Sequence, residues 1–101
     1  MKLLTKELMN RIPTTTRTDA DDPMAYCRFF TMTGWDWYVM SGRPIDEDDW
    51  LFWGFVTSPH AREFGYFGLK ELEGIRGPYG LRVERDLYFD PMPVSEIKQA
   101  V

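Results

Sequence analysis

Between Met24 and Phe67 apolar positions recur with a period of two, and on either side of that stretch the spacing lengthens toward that of a helix. At the start, Leu4, Leu8, Met9 and Ile12 form an i, i+4, i+5, i+8 stripe. Thr5 is placed to cap this helix and Pro13 to end it. Two turns do not hold together alone, so the stripe must dock on something. Thr14 to Pro23 reads as a polar linker carrying Asp19, Asp21 and Asp22.

Met24 to Met32 then alternates as one strand, with Ala25, Cys27 and Phe29 on one face and Tyr26, Arg28 and Phe30 on the other. Thr33-Gly34 signals a turn, and Trp35 to Met40 alternates again, so the two runs predict a hairpin. Ser41 to Asp49 reads as a loop. Trp50 to Thr57 is apolar on both parities, which predicts a central strand buried on both faces. Gly54 in its middle marks a bulge or a ring lying over the backbone. Ser58 to Ala61 is a turn and Glu63 to Phe67 a further strand. Leu69, Leu72 and Ile75 take helical spacing, with Gly77-Pro78 as the stop. Leu81 to Phe89 alternates as a last strand, and Ser95 to Val101 forms a weak helical tail. The pattern predicts an α+β fold: an antiparallel β-meander of four to five strands, a short N-terminal helix and a short helix before the last strand, with helices on one face.

At 101 residues the chain has the length of one domain, expected to span 1–101. Thirteen of its sixteen aromatic residues lie between Tyr26 and Phe67, which puts the core in the sheet. The formal net charge of −4 disfavours general binding to nucleic acid or an anionic membrane, and it favours a basic partner. No apolar run approaches a membrane span and the first residues do not read as a signal peptide, so the expected compartment is the cytoplasm. Cys27 is the only cysteine, which excludes an internal disulfide, and its strand setting predicts a buried, inert thiol.

Catalytic chemistry finds little support. His60, the only histidine, follows a turn proline and stands far in sequence from Cys27. Ser41, Ser58 and Ser95 lack a nucleophile-elbow context. Glycines 65, 68, 74, 77 and 80 read as structural punctuation rather than a phosphate cradle. The acidic run Asp46, Glu47, Asp48 and Asp49 lacks the alternating spacing of a calcium loop, so no metal or other cofactor is expected. That run is either a solvated loop or a partner-facing patch. Trp35, Trp37, Trp50 and Trp53 are more than a domain this small hides easily, and an exposed remainder would make aromatic hot spots for a protein. Arg76, Tyr79, Arg82, Arg85 and Tyr88 form a basic–aromatic strip able to stack single-stranded bases, though Glu84 and Asp86 interrupt it.

Three stretches together resemble a known family: Lys2 to Leu8, Trp35-Asp36-Trp37-Tyr38-Val39, and Glu63 to Leu72 running on to Gly77-Pro78 and Val83-Glu84-Arg85-Asp86-Leu87-Tyr88-Phe89. They are similar to the bacterial domain-of-unknown-function family numbered 2958. The resemblance implies an accessory setting on a plasmid, phage or other mobile element, and it carries over no activity and no catalytic residue. Gly68 departs from the serine cap expected before the second helix.

The expectation is therefore a non-enzymatic interaction protein, an anti-defence or DNA-transfer accessory factor with a protein partner. The alternative is a single-strand nucleic-acid binder using the Arg/Tyr strip. An open edge strand or exposed tryptophans would also allow a homodimer.

Overall fold

The computed structural model describes residues 2–15 and 23–101. Asp19, Asp21 and Asp22 of the polar linker lie outside them. Helix α1 spans Lys6–Arg11, with the Thr5 hydroxyl accepting from the Leu8 amide at 3.3 Å. Leu4, Leu8 and Ile12 are all buried, so the stripe docks as its spacing predicts.

Strands β1 (Met24–Ala25), β2 (Cys27–Phe30), β3 (Asp36–Asp46), β4 (Asp49–Thr57) and β5 (Arg62–Gly68) follow in order. Helix α2 (Leu69–Gly74), a single 3-10 turn at Pro78–Gly80, two-residue strands β6 (Glu84–Arg85) and β7 (Met92–Pro93), and helix α3 (Val94–Ala100) complete the described chain. The main sheet is antiparallel with order β5-β4-β3-β2-β6, and β1 pairs with β7 in a separate ribbon. The fold is α+β, and β2 to β5 form the expected meander. The chain then crosses by α2 to lay β6 beside β2 at the far edge.

Five expectations change. The run Met24 to Met32 is not one strand: it breaks at Tyr26, whose amide reaches Val39 O at 2.8 Å. Ser41 to Asp46 is strand, not loop, because Gly42, Arg43 and Pro44 pair with Phe52, Leu51 and Trp50. The middle of the sheet is β3; β4 is interior but one place off centre. Leu81 to Phe89 contributes only Glu84 and Arg85 as strand; pairing with β2 ends at Asp86, whose amide donates to Arg28 O at 2.9 Å and whose carboxylate binds the Arg28 guanidinium. Finally, helices cover both faces rather than one.

That last correction follows from the double parity of β4. On the first face Phe52 packs among Phe29, Trp50 and Phe67, with ring centres 5.9, 6.2 and 5.6 Å away, beneath Leu4 and Leu8 of α1 and its flank and Leu69 and Leu72 of α2. On the second face Tyr38, Met40 and Phe55 pack under Val94 and Ile97 of α3. Full burial of a ring such as Phe29 or Phe52 contributes about 1.5–3 kcal/mol.

At Gly54 the backbone of β3 lies against the bare Cα of β4. A Cβ there would stand 2.0 Å from the Tyr38 carbonyl oxygen, so no other residue fits. Beside it, Val39 pairs with Gly54 but Ser41 pairs with Trp53, leaving Met40 as an extra residue in β3. The bulge expected near Gly54 therefore lies on the partner strand.

Candidate functional site

A cleft of about 490 Å³ opens on the first face of the sheet, between the sheet and the segment that follows β5. Its floor is Trp37, Val56, Gly65 and Phe67, and its far wall is Leu72, Ile75 and Leu81. Glu63, Glu71, Arg76, Thr31 and Thr33 supply polar groups around it. Most of the lining is apolar, as in sites that take a side chain or small ligand.

The near rim is Trp35. Its indole stacks on that of Trp37 with centres 5.8 Å apart and planes at 22°. Trp37 is buried, whereas Trp35 is 43% exposed. The turn before β3 sets this up: Thr31 N donates to Trp35 O at 2.9 Å, Trp35 N donates to Thr31 Oγ1 at 3.3 Å, and Gly34 takes a φ of +98° that favours glycine. Gly65 opens the floor. A Cβ built on it meets nothing within 4 Å, so the space above is free.

The far wall is held by the acidic run. Asp49 Oδ1 accepts from its neighbour Trp50 N at 2.9 Å and from Lys70 N, in the first turn of α2, at 3.0 Å. Glu71 Oε1 accepts from Gly68 N at 3.1 Å. The missing serine at Gly68 is thus replaced by a carboxylate from another strand, which satisfies an orphan helix donor and complements the positive helix end. Asp48 pairs with the Lys70 ammonium at 2.9 Å; that hydrogen bond holds its carboxyl below the usual carboxylate range. Asp46 Oδ1 accepts from Glu47 N at 2.7 Å. The four acids lie at the tip of the β3–β4 hairpin, and two of them are engaged with α2.

The basic strip takes the other end of the same helix. Arg76 Nη1 donates to Glu73 O at 2.8 Å and Ile75 O at 3.2 Å, and Arg82 Nη2 donates to Glu73 O at 2.9 Å. Cations on the last carbonyls of a helix stabilise it. Arg85 is drawn elsewhere, to Lys2 O at 2.6 Å and Leu3 O at 3.0 Å. Tyr79 and Tyr88 are almost wholly exposed, but no continuous strand aligns them with the arginines. Tyr79 also carries a φ of +59° at the tip of the turn between Gly77 and Leu81.

The four tryptophans divide. Trp35 and Trp37 meet in the cleft, Trp50 leans on Phe52 on the same face, and Trp53 lies on the second face against Phe64 and Tyr66, at 6.3 and 4.8 Å. Cys27 is buried as expected, and desolvation pushes its thiol up to about 12. His60 is exposed in its turn, where His60 N and Ala61 N donate to Ser58 Oγ at 3.2 Å. Among the described residues no three His, Cys, Asp or Glu side chains gather to hold a metal, and no helix is long and apolar enough to cross a membrane. In the sequence pattern Gly65 reads as structural punctuation and Val56, Ile75 and Leu81 as strand and helix positions, none of them as a site residue. The signal for Gly65 was a glycine at a core-facing position of an otherwise aromatic strand.

The chain matches the family described as "Protein of unknown function (DUF2958)" over residues 3–100, nearly its whole length, and it belongs to that family. No curated protein and no solved structure matches it significantly.

Proposed function

We propose that this DUF2958 member is a non-enzymatic protein-interaction domain, cytoplasmic and accessory to a mobile element, whose contact surface is the aromatic cleft. The observation that carries this reading is the stacked Trp35–Trp37 pair, one indole buried and the other open to solvent at the mouth of an apolar cleft. Half-exposed tryptophan backed by a rigid neighbour is what protein hot spots are built from, because ordering it costs little entropy. The cleft has room for one large apolar side chain of a partner.

Two substitutions test it. Trp35→Ala removes the rim and leaves Trp37 in the core. Gly65→Leu fills the floor from below, where a Cβ meets no clash and the backbone is unstrained. Each variant is expected to keep the wild-type circular dichroism and to lose at least tenfold in recovery of the bacterial partner captured by tagged wild-type protein, read by quantitative mass spectrometry. Folded variants that capture the same partner at wild-type level sink the cleft as the contact. The nucleic-acid reading has weaker support, since Arg76, Arg82 and Arg85 each bind carbonyls of their own chain.

A further inference from the structure

Strand β5 is an edge of the main sheet, hydrogen-bonded to β4 on one side only. Among the described residues no backbone–backbone bond is made from its outer side, and its last amide, Gly68 N, is taken by the Glu71 carboxylate. Soluble proteins usually blunt such an edge with proline, lysine, a bulge or a covering segment. Here the register with β4 runs unbroken from Arg62 to Gly68, the strand contains no proline, and from Phe64 onward it carries no charge. Instead it exposes aromatic surface: Phe64 is 40% and Tyr66 71% exposed, and both rings lean on Trp53. The opposite edge, β6, is only two residues long and offers no comparable template.

We infer that the outer edge of β5 pairs with the β5 edge of a second copy of this chain, antiparallel about Gly65. The strand is self-complementary in that register. Gly65 faces Gly65, Phe64 faces Tyr66, and Glu63 faces Phe67, so no like charges stand opposite. Arg62 of one copy faces Gly68 of the other, whose amide is held by the Glu71 carboxylate, which brings opposite charges together at both ends. Helix α2 does not obstruct this approach, because Leu69 and Leu72 turn back into the core over the copy's own sheet. The two-fold axis stands perpendicular to the sheet, so both clefts open on the same side of a ten-stranded sheet. Their floors, at Glu63, Gly65 and Phe67, then run together across the axis.

The test is mass against concentration, with a register-specific cross-link. Sedimentation or light scattering of the whole chain is expected to show the 11.9 kDa monomer doubling as concentration rises. Gly65→Cys places two thiols directly opposite, with Cβ atoms about 4.5–5.5 Å apart. Oxidised glutathione should then convert it to a covalent dimer, two protons and two electrons passing to the glutathione disulfide. Buried Cys27 keeps the wild type uncross-linked. Phe64→Lys with Tyr66→Lys, both at exposed positions, is expected to stay folded by circular dichroism and remain monomeric. Trp35→Ala should still dimerise, which separates this interface from the cleft. A monomer persisting to about 1 mM, the range of the weakest specific association, overturns the inference. So does a dimer that neither cross-links through Gly65→Cys nor yields to the double lysine variant, or an edge that pairs only with a foreign peptide.

Discussion

Asp49 shows how much one side chain can contribute to the site. A single carboxylate oxygen serves the start of β4 and the start of α2, through Trp50 N and Lys70 N. Asp49→Ala is expected to cost about 0.5–2 kcal/mol, the usual range for a lost helix cap, while Asp49→Asn keeps the acceptor and loses less. Urea denaturation measures both; equal losses would show that charge rather than the acceptor matters. Neutralising all four acids at once would therefore loosen the cleft wall as well as any partner-facing charge. The sequence displayed the acids without showing where they went, because their partners lie 21 positions or more along the chain, in α2. Gly68 carried the clue. A helix start without its own cap must borrow one.

At the scale of elements, the ion cluster around Arg28 ties together what the meander alone would leave loose. Arg28 Nε donates to Asp36 Oδ1 at 2.7 Å and Nη1 to Asp86 Oδ2 at 3.0 Å, while the Thr57 hydroxyl donates to Asp36 Oδ2 at 3.2 Å. Strands β2, β3 and β4 and the segment after β6 thus meet at one guanidinium. Removing Asp86 leaves a half-buried cation short of a partner, so Asp86→Ala should cost about 1.5–3 kcal/mol. A urea midpoint unchanged from wild type would show that water replaces the carboxylate. The cluster also explains two motifs of the family likeness. Asp36 and Asp86 hold each other through Arg28, and Arg85 pins the chain before α1. The hydrophobic pattern revealed the strands at Trp35 to Met40, Trp50 to Thr57 and Glu63 to Phe67, and it missed Ser41 to Asp46, where the extra residue in β3 breaks the alternation. It overextended the last strand because Arg82 and Asp86 are spent on other elements.

For the whole molecule, Cys27 reports the integrity of the sheet. Burial raises its thiol from an ordinary value near 9 to about 12. The native state therefore holds this proton more tightly than the unfolded chain. Its contribution to stability is complete below about pH 9 and falls by about 1.4 kcal/mol per pH unit as pH rises toward 12. Urea midpoints between pH 8 and 10.5 should decline along that slope, and Cys27→Ala should remove the decline. In the native protein a thiol reagent at pH 8 should react only through opening of the sheet, far more slowly than in urea. Fast native labelling would show that the first core is open to solvent. Overall class and aromatic centre were legible because they depend on periodicity. The cleft was not, because it forms where a glycine on one strand faces a helix whose position is set from another hairpin.

The extra residue in β3 has one more consequence. Before it, odd-numbered positions of β3 face the first core; after it, even-numbered ones do, so that Gly42 meets Phe52 and Pro44 pairs with Trp50. Met40 is thus a spare beat that the hairpin absorbs. Losing it would set Ser41 directly after Val39 and still opposite Trp53, so every downstream side chain would keep its face and only the Met40 side chain would leave the second core. Lineages of this chain that drop this residue should keep the pairing of Gly42, Arg43 and Pro44 with Phe52, Leu51 and Trp50.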